Sequence, residues 1–150
     1  MAKITEEITA KAYDVAKKVY SKSISLTEGK EILAQQHRMN PNSAVDYINN
    51  FRCMMEGKRF TRTNNSSSIN FYLENILRDF GPLAHSNAVS ALQQHIEYYE
   101  EVQKTTMRKL REIHAFHQKM TPPAGSDDER EQEAIIQEIQ KDEKGKENVS

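Results

Sequence analysis

Residues 40–57 constrain this chain more than any other stretch, because both ends of one helix are written into them. The Asn40 side chain can accept an orphan backbone N–H, and Pro41 pre-sets the first helical φ. Ala44, Val45, Ile48, Phe51, Met54 and Met55 then recur at three- and four-residue spacing, with Tyr47 bordering the stripe. Gly57 supplies the left-handed stop. A helix with one apolar face must bury that face, so the rest of the chain has to provide packing partners.

The flanking sequence provides more helices. Thr5-Glu6-Glu7-Ile8 opens one, with a capping hydroxyl and acids at the positive end of the helix dipole, and Ile8, Ala12, Val15, Ala16 and Val19 form its stripe, flanked by Tyr13 and Tyr20. Ser25-Leu26-Thr27-Glu28 fits a capping box for a short helix with Leu26, Ile32 and Leu33 inward, ending near His37-Arg38. Ser66-Ser67-Ser68 offers caps for a fourth helix that carries Ile69, Tyr72, Leu73, Ile76, Leu77 and Phe80 up to Gly81-Pro82. Ser86 can cap the next, lined by Leu83, Ala84, Ala88, Val89, Leu92, Ile96 and Tyr99. Met107, Leu110, Ile113 and Phe116 continue that pattern, so a long helix or a helix pair runs to about Met120. No strand-like alternation and no internal repeat occurs. The expectation is an all-α bundle of about five or six helices over residues 4–120.

Composition changes after that point. Pro122-Pro123-Ala124-Gly125 is punctuation, and residues 121–150 hold nine Asp/Glu against four Lys/Arg, a charge of −5 that leaves residues 1–120 at +4 of the whole-chain −1. Every aromatic residue lies in the first part. Ala134, Ile135, Ile136 and Ile139 are too few to offset ordering entropy, so residues 121–150 are expected to be a disordered acidic tail. The lone Cys53 excludes an internal disulfide and suits a reducing cytosol. No signal peptide and no run of about 18 apolar residues is present, which points to a cytoplasmic chain without a membrane partner.

Catalytic and metal chemistry find little footing. His37, His85, His95, His114 and His117 include one helical i, i+3 pair, His114 and His117, which can give a metal two ligands but has no Cys pair or well-spaced acid to complete the set. An exposed helical face is the expectation for that pair. Cys53, beside Met54 and Met55, reads as a buried small hydrophobe rather than a nucleophile. Glu6-Glu7 and Glu100-Glu101 read as solvated helix surface, and the five glycines form no phosphate loop. No cofactor is expected, and nothing here requires an enzyme.

The segment spanning residues 58–65 is the most distinctive polar stretch. Lys58, Arg59 and Arg62 bring cations, Thr61, Thr63, Asn64 and Asn65 bring short donors and acceptors, Phe60 interrupts them, and a helix N-terminus follows. Those groups suit a phosphate backbone, with Arg or Asn left for base edges. The competing expectation is that Phe60 anchors the loop and the cations are simply solvated.

The run Ala44-Val45-Asp46-Tyr47-Ile48-Asn49-Asn50-Phe51-Arg52-Cys53-Met54-Met55-Glu56-Gly57-Lys58-Arg59-Phe60-Thr61-Arg62-Thr63-Asn64 resembles the N-terminal helical accessory domain of bacterial HNH-type restriction endonucleases, those described as 5-methylcytosine-specific restriction protein A-like. The resemblance spans residues 4–101 and extends through Ala12-Tyr13, Val19-Tyr20, Tyr72-Leu73-Glu74-Asn75-Ile76, Asp79-Phe80-Gly81 and Gln94-His95-Ile96-Glu97-Tyr98-Tyr99-Glu100. It implies a helical domain that engages DNA, with Tyr47, Asn50, Arg52, Arg59, Arg62, Thr63 and Asn64, and also His95 and Tyr98, as matching positions. Two departures stand out. Nothing after Met120 resembles the His-rich nuclease segment, so nuclease activity is not carried over, and Asn64-Asn65-Ser66-Ser67-Ser68 is more polar than the matching helix start. The leading expectation is a non-catalytic DNA-binding or DNA-sensing module of restriction or phage defence, with Arg52, Lys58, Arg59, Arg62, Thr63, Asn64, Tyr47 and Asn50 as nucleic-acid-binding residues. The alternative is a protein-interaction module, dimeric or nuclease-regulating, in which Met54-Met55 and the C-terminal helix pack against a partner.

Overall fold

The structure is a computed structural model that describes residues 4–62 and 64–121. Six helices and no strand occur among the described residues: α1 (Glu6–Tyr20), α2 (Leu26–Gln36), α3 (Pro41–Glu56), α4 (Ser66–Phe80), α5 (Pro82–Gln103) and α6 (Arg108–Gln118). None of these helices is long and apolar enough to cross a membrane. Thr63 and the expected acidic tail from residue 122 onward lie outside the described residues.

The start and stop signals act as their chemistry dictates. Thr5 Oγ1 accepts from the Ile8 N–H at 3.2 Å, and Ser25 Oγ accepts from the Glu28 N–H at 3.1 Å. Asn40 Oδ1 accepts from the N–H groups of Asn42 and Ser43 at 2.8 and 3.3 Å, satisfying two donors that an uncapped helix leaves open. Gly57 ends α3 at φ 68°, a conformation in which a Cβ would collide with the following carbonyl.

Helix α3 packs against α1, α2 and α5, while α4 packs against α1, α5 and α6. At their junction Tyr13, Phe51 and Tyr72 meet edge to face, with centroids 5.5, 5.6 and 6.0 Å apart, the arrangement that ring quadrupoles favour. Hydroxyls in this apolar core are paired. Thr9 Oγ1 and Ser68 Oγ share a bond at 2.8 Å, Tyr47 Oη donates to Ser68 Oγ at 3.0 Å, and Tyr72 Oη donates to the Tyr47 carbonyl at 3.2 Å. One core contact turns on an absent side chain. A Cβ at Gly29 of α2 would lie 2.8 Å from Val19 Cγ2, 3.0 Å from Val15 Cγ1 and 3.2 Å from Ile48 Cδ1, so α2 approaches α1 and α3 by having none.

Several expectations need correction. Asn65, not Ser66, Ser67 or Ser68, caps α4, its Oδ1 accepting from the Ser68 N–H at 2.8 Å. Helix α5 begins at Pro82 rather than at a Ser86 cap, because a proline at the first helical position needs no N–H partner. The C-terminal pattern is a helix pair: Lys104 takes a left-handed conformation at φ 53° and ends α5. Leu26, Phe80 and Phe116 are exposed although they fit the apolar stripes, whereas Met54 is buried and offers no docking surface. Cys53 is half-buried against the core rather than fully enclosed. His117, expected on an exposed face, is 0% exposed.

Candidate nucleic-acid interface

The polar segment between α3 and α4 is tied by α5 on one side and α3 on the other. On the α5 side, two amide side chains satisfy carbonyls at the α3 terminus: Asn87 Nδ2 donates to Met55 O at 3.2 Å and Gln94 Nε2 to Gly57 O at 3.0 Å. Phe60 then inserts into the core and lies flat on His95, with ring centroids 4.3 Å apart and planes 14° from parallel. The same imidazole donates from Nδ1 to the Phe60 carbonyl at 2.7 Å, an acceptor that fixes the proton on Nδ1. Burial pushes His95 below its usual range, partly opposed by that bond, so the ring is neutral at pH 7. On the α3 side, Asn50 Nδ2 donates to the Arg62 carbonyl at 2.8 Å and to Asn64 Oδ1 at 3.2 Å.

The expected contact residues therefore fall into two groups. Tyr47, Asn50 and Asn64 are each 4% exposed. Tyr47 joins α3 to α4 through Ser68, and Asn50 and Asn64 hold the loop backbone. These three position the segment and do not present themselves to a ligand. Arg52, Lys58, Arg59 and Arg62 are exposed. Glu56 draws on two of them, approaching Lys58 Nζ at 3.1 Å and Arg52 Nε at 3.9 Å. Pairs this exposed contribute little to stability, about 0–1 kcal/mol, and a phosphate can compete for either cation. The exposed Arg59 lies over the Tyr98 ring at 4.5 Å. The Arg62 guanidinium has no hydrogen bond or ion pair among the described residues, although its own carbonyl is fixed by Asn50. Asn64 Nδ2 is buried without a partner.

The segment thus has its backbone tied at Gly57, Phe60 and Arg62, four exposed cations of which two pair with Glu56, and the positive N-terminal end of α4 after it. That arrangement can hold phosphates at fixed spacing. It holds no general acid–base pair, and the described residues contain no cluster of three or more His, Cys, Asp or Glu able to hold a metal. Sequence reasoning missed the clamp itself. Gln94, Asn87 and His95 lie within the helical pattern of α5 and carry no local sign that they face α3, though the Phe60 anchor was legible as an aromatic among polar residues. The chain matches no protein-family profile, no curated protein and no solved structure.

Proposed function

We propose that this chain is a non-catalytic DNA-binding module that grips the phosphate backbone through the loop between α3 and α4 and acts in the cytoplasm. The observation that carries this reading is the pairing of exposed Arg59 and Arg62 with a loop backbone clamped by Phe60, His95 and Asn50. A loop tied at Phe60 and Arg62 loses less conformational entropy on binding than a free one, so its exposed cations meet a phosphate backbone at lower cost. The charge of +4 on residues 1–120 supports attraction to a polyanion. The resemblance of residues 44–64 to the accessory domain of HNH-type restriction proteins ties the reading to restriction or phage defence and makes methylated cytosine one ligand to compare. The test is charge reversal: Arg59→Glu with Arg62→Glu should lower affinity for duplex DNA at least tenfold and leave the helical circular-dichroism signal unchanged. Unchanged affinity would remove this loop as the contact.

A protein-interaction module is the second reading. It is favoured by Val102 near the end of α5 and Phe116 on α6, each 56% exposed. A molecular mass that rises with concentration, and falls back on Phe116→Ser, would support it over DNA binding.

A further inference from the structure

Helix α6 is held by very few buried groups. Of its eleven residues only Leu110 and His117 are buried. Its N-terminal end is tied by Glu100, which accepts from the Met107 N–H at 2.8 Å and from the Arg111 guanidinium through both oxygens. Its C-terminal end is tied by His117. Nδ1 of that ring lies 2.9 Å from Nε2 of His85 on α5, and its Nε2 lies 2.8 Å from Asn70 Oδ1 on α4. Both imidazoles are 0% exposed.

The proton positions in this network follow from donor and acceptor capacity. Asn70 Nδ2 donates to Glu74 Oε1 at 2.8 Å, so Asn70 turns its oxygen to His117, and His117 Nε2 must carry a proton. A neutral His117 then has a bare Nδ1, which accepts from His85 Nε2–H. That leaves His85 Nδ1 bare, and it is buried with no partner. A second proton has two places to go. On His85 it sits at Nδ1 as a donor facing no acceptor. On His117 Nδ1 it forces His85 to release its Nε2 proton and take one at Nδ1, with the same outcome. Either way, one added proton puts a charge and an unsatisfied N–H inside the protein.

We propose that the His85–His117 pair is a proton-sensitive latch, which holds the C-terminal half of α6 on α4 and α5 at neutral pH and releases it on acidification. The surrounding groups leave this direction intact. From α4, the exposed Glu74, which accepts from Asn70, favours a charged His117 by its charge, but burial has the larger effect. From α6, His114 is also pushed down by burial, against the attraction of Glu97 on α5, and its Nε2 is likewise buried without a partner. Lys109 and Glu112 of α6 border the same groove as Asn70 and Glu74, and their charges offset. Desolvation outweighs these influences: burial and the His117 ring push His85 from its ordinary 6.5 down to about 4, and His117 is pushed down as well. A group lowered in the closed form stabilises that form fully above its released pKa and loses the contribution as pH falls toward the closed one. For His85 alone, the fraction of molecules with α6 released rises about twentyfold between pH 7 and pH 5.

The test is amide hydrogen exchange of the full chain at pH 7 and pH 5, corrected for the intrinsic rate. Protection of residues 108–118 should fall at least tenfold at pH 5 while α3 keeps its protection. In His85→Leu the ratio of α6 protection between pH 7 and pH 5 should fall well below the wild-type ratio, the remainder coming from His114 and His117. If that variant does not fold, ring nitrogen shifts of the wild type decide: His85 should be the Nε2–H tautomer at pH 7 and stay neutral to below pH 6. Unchanged α6 protection at pH 5, or a His85 ring that charges near 6.5 with α6 still protected, would overturn the latch.

Discussion

Phe60 and His95 hold one another twice, by a face-to-face stack at 4.3 Å and by a hydrogen bond at 2.7 Å from the imidazole Nδ1 to the Phe60 carbonyl. The stack fixes where the loop enters the core, and the bond fixes its backbone orientation. Without either, Arg59 and Arg62 would flank a free segment, and any ligand would have to order it.

Phe60→Ala should therefore cost stability and affinity together. Removing a fully buried phenylalanine side chain costs about 3–5 kcal/mol, and this ring is 2% exposed. Urea unfolding followed by circular dichroism measures the first effect. A loss below about 1 kcal/mol would mean that the ring is not packed as described.

Asn50 tests the clamp without touching a cation or an apolar group. Asn50→Asp replaces the donor that serves Arg62 O and Asn64 Oδ1 with an acceptor facing two acceptors. The expected loss is about 1–3 kcal/mol in urea unfolding, and DNA affinity falls although every exposed cation remains. Wild-type affinity in a destabilised Asn50→Asp would show that loop order does not matter for binding.

Gly29 offers a sign test of packing. In an open helix Gly→Ala gains roughly 1 kcal/mol of helix propensity. Here the new methyl would lie 2.8 Å from Val19 Cγ2 and 3.0 Å from Val15 Cγ1, on β-branched side chains with little rotamer freedom. Overpacking of this kind costs about 1–3 kcal/mol, so the net change should be destabilising by up to about 2 kcal/mol. A raised unfolding midpoint for Gly29→Ala would place α2 farther from α1 than described.

Asp79 sets an acid-side dependence. The Arg78 guanidinium beside it holds its carboxyl well below the ordinary 3.8; burial opposes this next most strongly, and the Tyr13 hydroxyl at 2.8 Å and Lys17 at 3.3 Å add to the lowering. A carboxyl lowered in the folded state contributes stability that is complete above its unfolded pKa and is lost as pH falls below it. Asp79→Asn should thus lower stability at pH 7 by roughly 1 kcal/mol, and the gap to wild type should close progressively below pH 4. A pH-independent gap would assign the effect to packing instead.

These residues also show what was legible beforehand. The caps at Thr5, Ser25, Asn40 and Gly57 are local chemistry, readable from three or four neighbours, and the helical count followed from them. The α4 cap is ambiguous in the sequence because Asn65 stands beside three serines that could each do the same work. The break between α5 and α6 was ambiguous because a lysine, not a glycine, adopts the left-handed turn. At the interface, the exposed cations were legible as a basic loop. Asn50 and Asn64 stand out in the sequence for their chemistry, but their role as internal ties depends on contacts 12 and 14 residues apart. Buried His85, His95 and His117 are hard to read because hydropathy patterns count histidine as polar, whereas a neutral imidazole whose ring nitrogens find partners, as both do in His117, buries at little cost.

The most direct measurement is fluorescence anisotropy of the full chain against labelled duplexes, unmodified and cytosine-methylated, over a range of salt concentrations. Each phosphate neutralised on duplex DNA contributes about −0.9 to the slope of log affinity against log salt. The expected slope is about −2 if Arg59 and Arg62 act alone and about −4 if Arg52 and Lys58 leave Glu56 to join them. A preference for one duplex would add that the module senses cytosine modification. No binding to either duplex at low salt, or binding with no salt dependence, would contradict a phosphate-gripping loop.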